Sequence, residues 1–195
     1  MVIYLWKAGY ISKEKTTWSA VSPSYLGLSV VSLLSCSWLV STLISHMEWL
    51  PNIMEQTFDI LQSGWGGILA IAVAGPVLEE LLFRGAITKA LLKQYDPAKA
   101  ILISAFIFGI FHINPIQVVA AFLIGLLLAW VYYKTASLLP CILMHILNNS
   151  ISVSLNIKSP GMDDMDALVG GTASLIITCV AAVLLVGCYW LMKRT

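Results

Sequence analysis

The sequence predicts an all-α, polytopic transmembrane bundle of about six spans, with residues 1–195 forming a single membrane domain. Three observations predict it. Of the 195 residues, 59% are hydrophobic and only 11% are charged, against about 25% charged in a soluble domain, and mean hydropathy is +0.88. Apolar stretches of spanning length recur along the chain, each able to cross ~30 Å of hydrocarbon at ~1.5 Å per residue. The basic residues between those stretches fall almost entirely on alternate connections, which is how a multi-span chain records its orientation.

The elements follow in order. Residues 1–20 are amphipathic and basic, with Lys7, Lys13 and Lys15, and are expected at the membrane surface. Their short apolar start, interrupted by Lys7, gives no cleavable signal peptide. Leu26 to Ile44 is the first span. Ser45 to Ser63 is polar and carries Glu48, Glu55 and Asp59 without a lysine or arginine. A second helix is expected from Trp65 to Lys93, interrupted at Gly75-Pro76, where proline removes a backbone hydrogen bond and should kink the helix just before two glutamates. Asp96-Pro97 opens a short third helix, Ala98 to His112, which Asn114-Pro115 ends. The fourth runs from Ile116 to Tyr133, and Lys134 to Ser137 is a tight connection. The fifth spans Leu138 to Ile157, a polar loop follows with Asp163, Asp164 and Asp166, and a sixth runs from Leu168 to Trp190, ending at Lys193-Arg194.

With a cytoplasmic N-terminus, the inner segments hold Lys7, Lys13, Lys15, Lys89, Lys93, Lys99, Lys134, Lys193 and Arg194, nine of the eleven basic residues. Lys158 lies outside and Arg84 lies within a span. Both termini are therefore predicted to be cytoplasmic. The net charge of +1, with no basic stripe, argues against a nucleic-acid partner. Cys36, Cys141, Cys179 and Cys188 stand singly in apolar runs without metal spacing and read as small buried hydrophobes. No internal repeat is obvious, which speaks against an inverted-repeat transporter.

Glu79-Glu80-Leu81-Leu82-Phe83-Arg84 places three formal charges inside an apolar run. A charge at that depth marks a functional site by default, the bland alternative being a structural ion-pair network. Four more residues come in helical pairs. Phe108 and His112 are four apart on the third helix, His145 and Asn149 four apart on the fifth, and i,i+4 residues share a face. Burying two histidines, an asparagine and a diacidic motif costs too much unless they meet in one polar cavity. Depth along ideal helices puts Glu80 ~22 Å from Trp65 and His145 ~10 Å from Leu138, with His112, ~20 Å from Lys99, fitting less well. That cavity is expected to open towards the cytoplasm.

Helix phase separates the two glutamates. Glu80 and Arg84 lie within ~40° of one another and can pair, whereas Glu79 and Arg84 are ~140° apart. A glutamate tied to arginine is the weaker base, so the unpaired Glu79 is the better candidate. Glu79, His112 and His145 are also a legitimate zinc set. The H-E-x-x-H arrangement is absent, however, and Asn149 is a poor zinc ligand, so no cofactor is favoured and zinc is the alternative.

Glu-Glu-x-x-x-Arg at 79–84, Phe-x-x-x-His at 108–112 and His-x-x-x-Asn at 145–149 resemble the three motifs of the CPBP family, which contains the CAAX prenyl endopeptidases and the bacteriocin-processing or immunity (Abi) proteins. Gly75-Pro76, Phe83-Arg84-Gly85 and Gly125, with Tyr132-Tyr133-Lys134-Thr135 leading into Ser137-Leu138-Leu139-Pro140, match as well. The resemblance covers residues 65–155, the expected catalytic core. It implies an intramembrane endopeptidase cutting near the cytoplasmic face, with Glu79, Glu80, Arg84, His112, His145 and Asn149 as its site. Peptide hydrolysis needs an activated water, a stabilised oxyanion and a proton donor for the amine. In that reading Glu79 suits the base, His112 could hold the water, and His145 with Asn149 could donate to the oxyanion. The implied partners are a peptide or protein C-terminus and the lipid bilayer, and the expected location is the bacterial cell membrane. Two other classes compete. A non-catalytic immunity or scaffolding protein would bind peptide in the same pocket. A proton- or ion-coupled carrier would need a continuous polar path and paired broken helices, and only one Gly-Pro break stands out.

Overall fold

The computed structural model describes Lys7, Gly9, residues 15–158 and residues 169–194. The expected surface placement of most of residues 1–14, the acidic loop with Asp163, Asp164 and Asp166, and the Leu168 start of the last span lie outside the described residues. After a 3₁₀ turn at Lys15–Trp18 come α1 (Pro23–Ser45), α2 (Glu55–Gln62), α3 (Trp65–Leu92), α4 (Pro97–Phe111), α5 (Pro115–Thr135), α6 (Leu138–Lys158) and α7 (Gly171–Arg194). Five of these, α1, α3, α5, α6 and α7, are long and apolar enough to cross a membrane, and α4 is apolar but has 15 residues. No strand occurs among the described residues. The all-α membrane bundle is as predicted, and the short third span is α4.

The helix ends are written in the sequence. Ser22 caps α1 by accepting from the Tyr25 N–H at 3.2 Å with Pro23 in the first turn. Asp96 caps α4 in the same way, accepting from Lys99 N at 3.1 Å, so two of the orphan donors of a helix start are satisfied. Between α5 and α6, Ala136 adopts φ 51° and returns its N–H to Tyr132 O at 2.8 Å. Ser137, fully buried, then donates to Ser19 O at 2.7 Å and ties the 3₁₀ turn to this end of the bundle.

The main core lies between α1, α5, α6 and α7, where Leu33, Leu128, Val131, Leu138, Cys141, Met144 and Met192 are fully buried. Gly109 allows α4 to run close along α5, since a Cβ there would stand 2.8 Å from Val118 O and 3.0 Å from Phe122 Cβ. Such close approach is the usual device of helix packing in lipid. The outward face of α7 exposes Leu175, Ile176, Val183 and Val186, a surface that hydrocarbon covers. The cysteines carry no disulfide, and Cys179 is exposed on that same helix, not buried as expected.

Two departures from the sequence reading shape the site. First, the polar segment after α1 is not featureless, because it folds into α2, with Glu55 in its first turn where a helix favours an acid. Second, α3 is not a simple kinked helix. Wide π turns at Ala70–Ala74 and Phe83–Thr88 flank the α-helical stretch Gly75–Leu82 that carries both glutamates. In the first of them Gly75 N–H reaches back five residues to Ala70 O. The next bond in that register would run from Pro76 to Ile71 O, and proline has no hydrogen to give. The turn therefore leaves the Ile71 carbonyl without a helical donor.

Candidate active site

The buried half of the site is an ion pair with additional partners. Glu80 and Arg84 are both fully buried, and Arg84 Nη1 donates to Glu80 Oε1 at 2.8 Å, the i,i+4 contact that helix phase predicts. The same oxygen accepts from His145 Nδ1 at 2.7 Å. Arg84 Nη2 donates to Gly125 O at 3.1 Å, and the guanidinium lies 4.4 Å from the centre of the Phe108 ring. Phe108 also packs edge-on against Phe83, His112 and His145, with centroids 4.9, 4.8 and 5.7 Å away. It is the packing hub on which the arginine and both imidazoles rest. A Cβ on Gly125 would fall 2.9 Å from Phe108 Cδ1, so glycine is required where α5 backs this hub.

Glu79 points the other way. Its carboxylate Oε2 lies 3.7 Å from His145 Nε2 and 3.9 Å from His112 Nε2, and has no hydrogen-bond partner among the described residues. The histidine tautomers follow from their other nitrogens. His112 Nδ1 is 2.9 Å from Phe108 O, which only accepts, and His145 Nδ1 faces the Glu80 carboxylate. Both Nδ1 atoms therefore donate, and in the neutral rings both Nε2 atoms carry lone pairs. Glu79 Oε2 thus faces two acceptor nitrogens at 3.7 and 3.9 Å, beyond direct hydrogen bonding and within reach of a shared water.

Asn149 lines the same cavity, but its Nδ2 donates to Ile71 O at 3.1 Å, filling the carbonyl that the π turn releases. One amide hydrogen remains for a ligand. The structure thus brings Glu79, His112 and His145 face to face, sets Glu80 and Arg84 beneath them, and holds Asn149 to the wall. The Glu80–His145 bond, the Gly125 carbonyl and the hub role of Phe108 were not read from the sequence. Phe108, within the second motif, and Gly125, between the second and third, each left a trace there, and the Glu80–His145 bond left none.

The cavity measures about 660 Å³. Its deep end is formed by Glu79, His112, His145 and Asn149, and its outer wall by Asn52, Glu55 and Asp59, which are exposed. These last belong to the segment before α3, at the opposite end of the bundle from Lys89, Lys93, Lys99, Lys134 and Lys193. The expectation of a cavity opening towards the cytoplasm is corrected here. If the basic end faces inward, the mouth faces away from it. The physical reason is packing, because below Glu79 the space is filled by Phe83, Arg84, Thr88, Ser104 and Phe108, each at most 1% exposed.

Zinc ligands ~2.0–2.1 Å from a tetrahedral ion stand roughly 3.3–3.4 Å apart. The 3.7 and 3.9 Å separations are somewhat wider, and no three His, Cys, Asp or Glu groups among the described residues are set as a preformed metal site. The two Nδ1 bonds would nonetheless hold both rings in the ligating tautomer.

Comparison with known proteins adds to this geometry. The family described as type II CAAX prenyl endopeptidase Rce1-like matches residues 61–151, a segment that contains all three motifs. A protein of Bacillus subtilis (strain 168) named "Putative membrane peptidase YdiL" is 30% identical over 104 residues, covering 53% of this chain and 43% of that protein. The chain therefore aligns with less than half the length of this relative. No solved structure matches.

Proposed function

The chain belongs with the CPBP family through its segment 61–151, and from that premise we propose that it is an intramembrane endopeptidase with Glu79 as its base. The observation that carries this reading is the meeting of the Glu79 carboxylate with the Nε2 atoms of His112 and His145 at the deep end of a polar cavity. A water held between Glu79 and His112 loses a proton to Glu79 as its oxygen attacks the scissile carbonyl, and Glu79 passes that proton to the departing amine. The oxyanion is met by the second amide hydrogen of Asn149 and by His145 Nε2. With Nδ1 already donating to Glu80, Nε2 donates only in the protonated ring, and Glu80 supplies the counter-charge. Glu80 and Arg84 are positioning residues, since they hold His145 and the hub without facing the cavity. If zinc is bound, Glu79, His112 and His145 hold it, and it would polarise water or carbonyl. The proposed substrate is a peptide at the membrane, and the proposed location is the bacterial cell membrane.

The test is mass spectrometry of peptide-library products from purified protein beside Glu79→Gln. The wild type should yield defined fragments and the variant none, with its thermal stability unchanged. A variant that cuts at an undiminished rate would remove Glu79 from the chemistry. A wild type that binds peptide without cutting it would make this a binding protein.

A further inference from the structure

We propose that α2 is the specificity wall of the cavity, and that Glu55 and Asp59 select peptide segments carrying a lysine or arginine. The proposal rests on the cavity being a peptide site, as argued above. Glu55 and Asp59 are four residues apart on one face of α2, both line the cavity, and neither has an ion-pair or hydrogen-bond partner among the described residues. Like charges at that spacing repel, so a cation between them relieves the helix as well as binding to it. With Glu79 they make three carboxylates around one cavity, and no lysine or arginine is among the lining residues. Lys158, two residues beyond Asn156 on α6, is exposed but outside the lining. A cleft of one sign with low-dielectric walls concentrates the field and draws in the opposite charge.

The backbone that carries the two carboxylates is also anchored at both ends, which a floating loop would not achieve. The side chain of Asn114 is fully buried. It accepts from Ile53 N at 3.0 Å and donates to Asn52 Oδ1 at 2.8 Å, pinning the approach to α2. At its other end the Leu61 carbonyl sits against Gly67, where a Cβ would be only 1.8 Å away. Apart from Ser152 and the two histidines, the remaining polar wall is made of amides, namely Asn52, Gln62, Gln117, Asn148, Asn149 and Asn156. Amides pair with the backbone of an extended peptide whatever its side chains. Gln62 Oε1, buried and without a partner, is an acceptor for a peptide N–H or an ammonium. The division of labour is plain: the amides hold backbone, and the acids read charge.

The experiment uses the full chain in detergent and one peptide that Glu79→Gln binds, made with lysine, glutamine or glutamate at its central position. Binding is read by fluorescence anisotropy on Glu79→Gln, and cleavage by the wild type. The lysine peptide should bind about tenfold more tightly than the glutamine one, with the margin shrinking as salt rises. Glu55→Gln/Asp59→Asn should abolish that margin, and Glu55→Lys/Asp59→Lys should turn the preference towards the glutamate peptide, a gain that misfolding cannot imitate. Equal affinity for all three peptides, or a margin that survives Glu55→Gln/Asp59→Asn, overturns the proposal even if cleavage is normal. Preferential binding of the lysine peptide by a protein that cuts nothing would uphold it and sink the protease reading instead.

Discussion

Arg84→Ala tests whether the buried half of the site is held together as described. Glu80 Oε1 accepts from Arg84 at 2.8 Å and from His145 at 2.7 Å, with both members of the ion pair 0% exposed. Truncating Arg84 strands a buried carboxylate, a loss of roughly 3–5 kcal/mol. That range already includes the bond to Gly125 O and the stacking on Phe108, since each falls with the same side chain. At about 2–4 °C per kcal/mol for a chain of this size, Tm should drop by roughly 6–20 °C. Glu80→Ala should fall in the same range, because it strands the guanidinium. Removing both charges together leaves neither stranded, so the double variant should lose clearly less than the two singles added. Intrinsic tryptophan fluorescence during matched thermal scans in one detergent measures all four proteins. An Arg84→Ala protein within about 2 °C of the wild type, or losses that simply add, would refute the reasoning.

Gly125→Ala should push Phe108 off its position, costing about 1–3 kcal/mol and lowering kcat, and unchanged cleavage and Tm would show that the hub tolerates the extra carbon. Reporters fused after Lys134 or at the C-terminus should remain cytoplasmic while a fusion near Asp59 reports the other face, and a cytoplasmic signal at Asp59 would overturn the orientation. Prolonged treatment with a strong chelator should leave cleavage intact and elemental analysis should find no stoichiometric zinc, whereas activity lost on chelation and restored by zinc would assign Glu79, His112 and His145 to a metal.

What the sequence disclosed was governed by distance along the chain. The Glu80–Arg84 pair could be read because four residues on one helix fix a face. The convergence of Glu79, His112 and His145 could be read because no lipid-exposed arrangement of those side chains is tolerable. Depth along ideal helices was a poorer guide and left His112 too high, because α3 is longer than the ~30 Å core: it runs on to Leu92, 28 residues in all, so Glu80 stands ~18 Å from its inner end, near the level of His112. The Glu80–His145 bond joins residues 65 apart, and no spacing announces it. The direction of the cavity was missed for a related reason. Thr88, Ser104 and Phe108 look like ordinary span residues, and only packing shows that they close the basic end. The helix α2 escaped notice because its eight residues are too few for a periodic signal.

The two π turns of α3 have a consequence for how this helix can change. Each holds one residue more than an α turn would need, so the helix carries one spare residue on either side of the stretch with Glu79 and Glu80. Rewinding Ala70–Ala74 as α-helix would push the outer end out by about 1.5 Å and rotate it by about 100°, while the carboxylates kept their seats against α4 and α6. The lipid-facing lip and the reactive stretch are thus geared separately, and the lip can be re-indexed to a different bilayer or guest without turning the stretch that carries the acids. Asn149 sets the toll on such a slip, because its acceptor at Ile71 exists only while the turn stays wide.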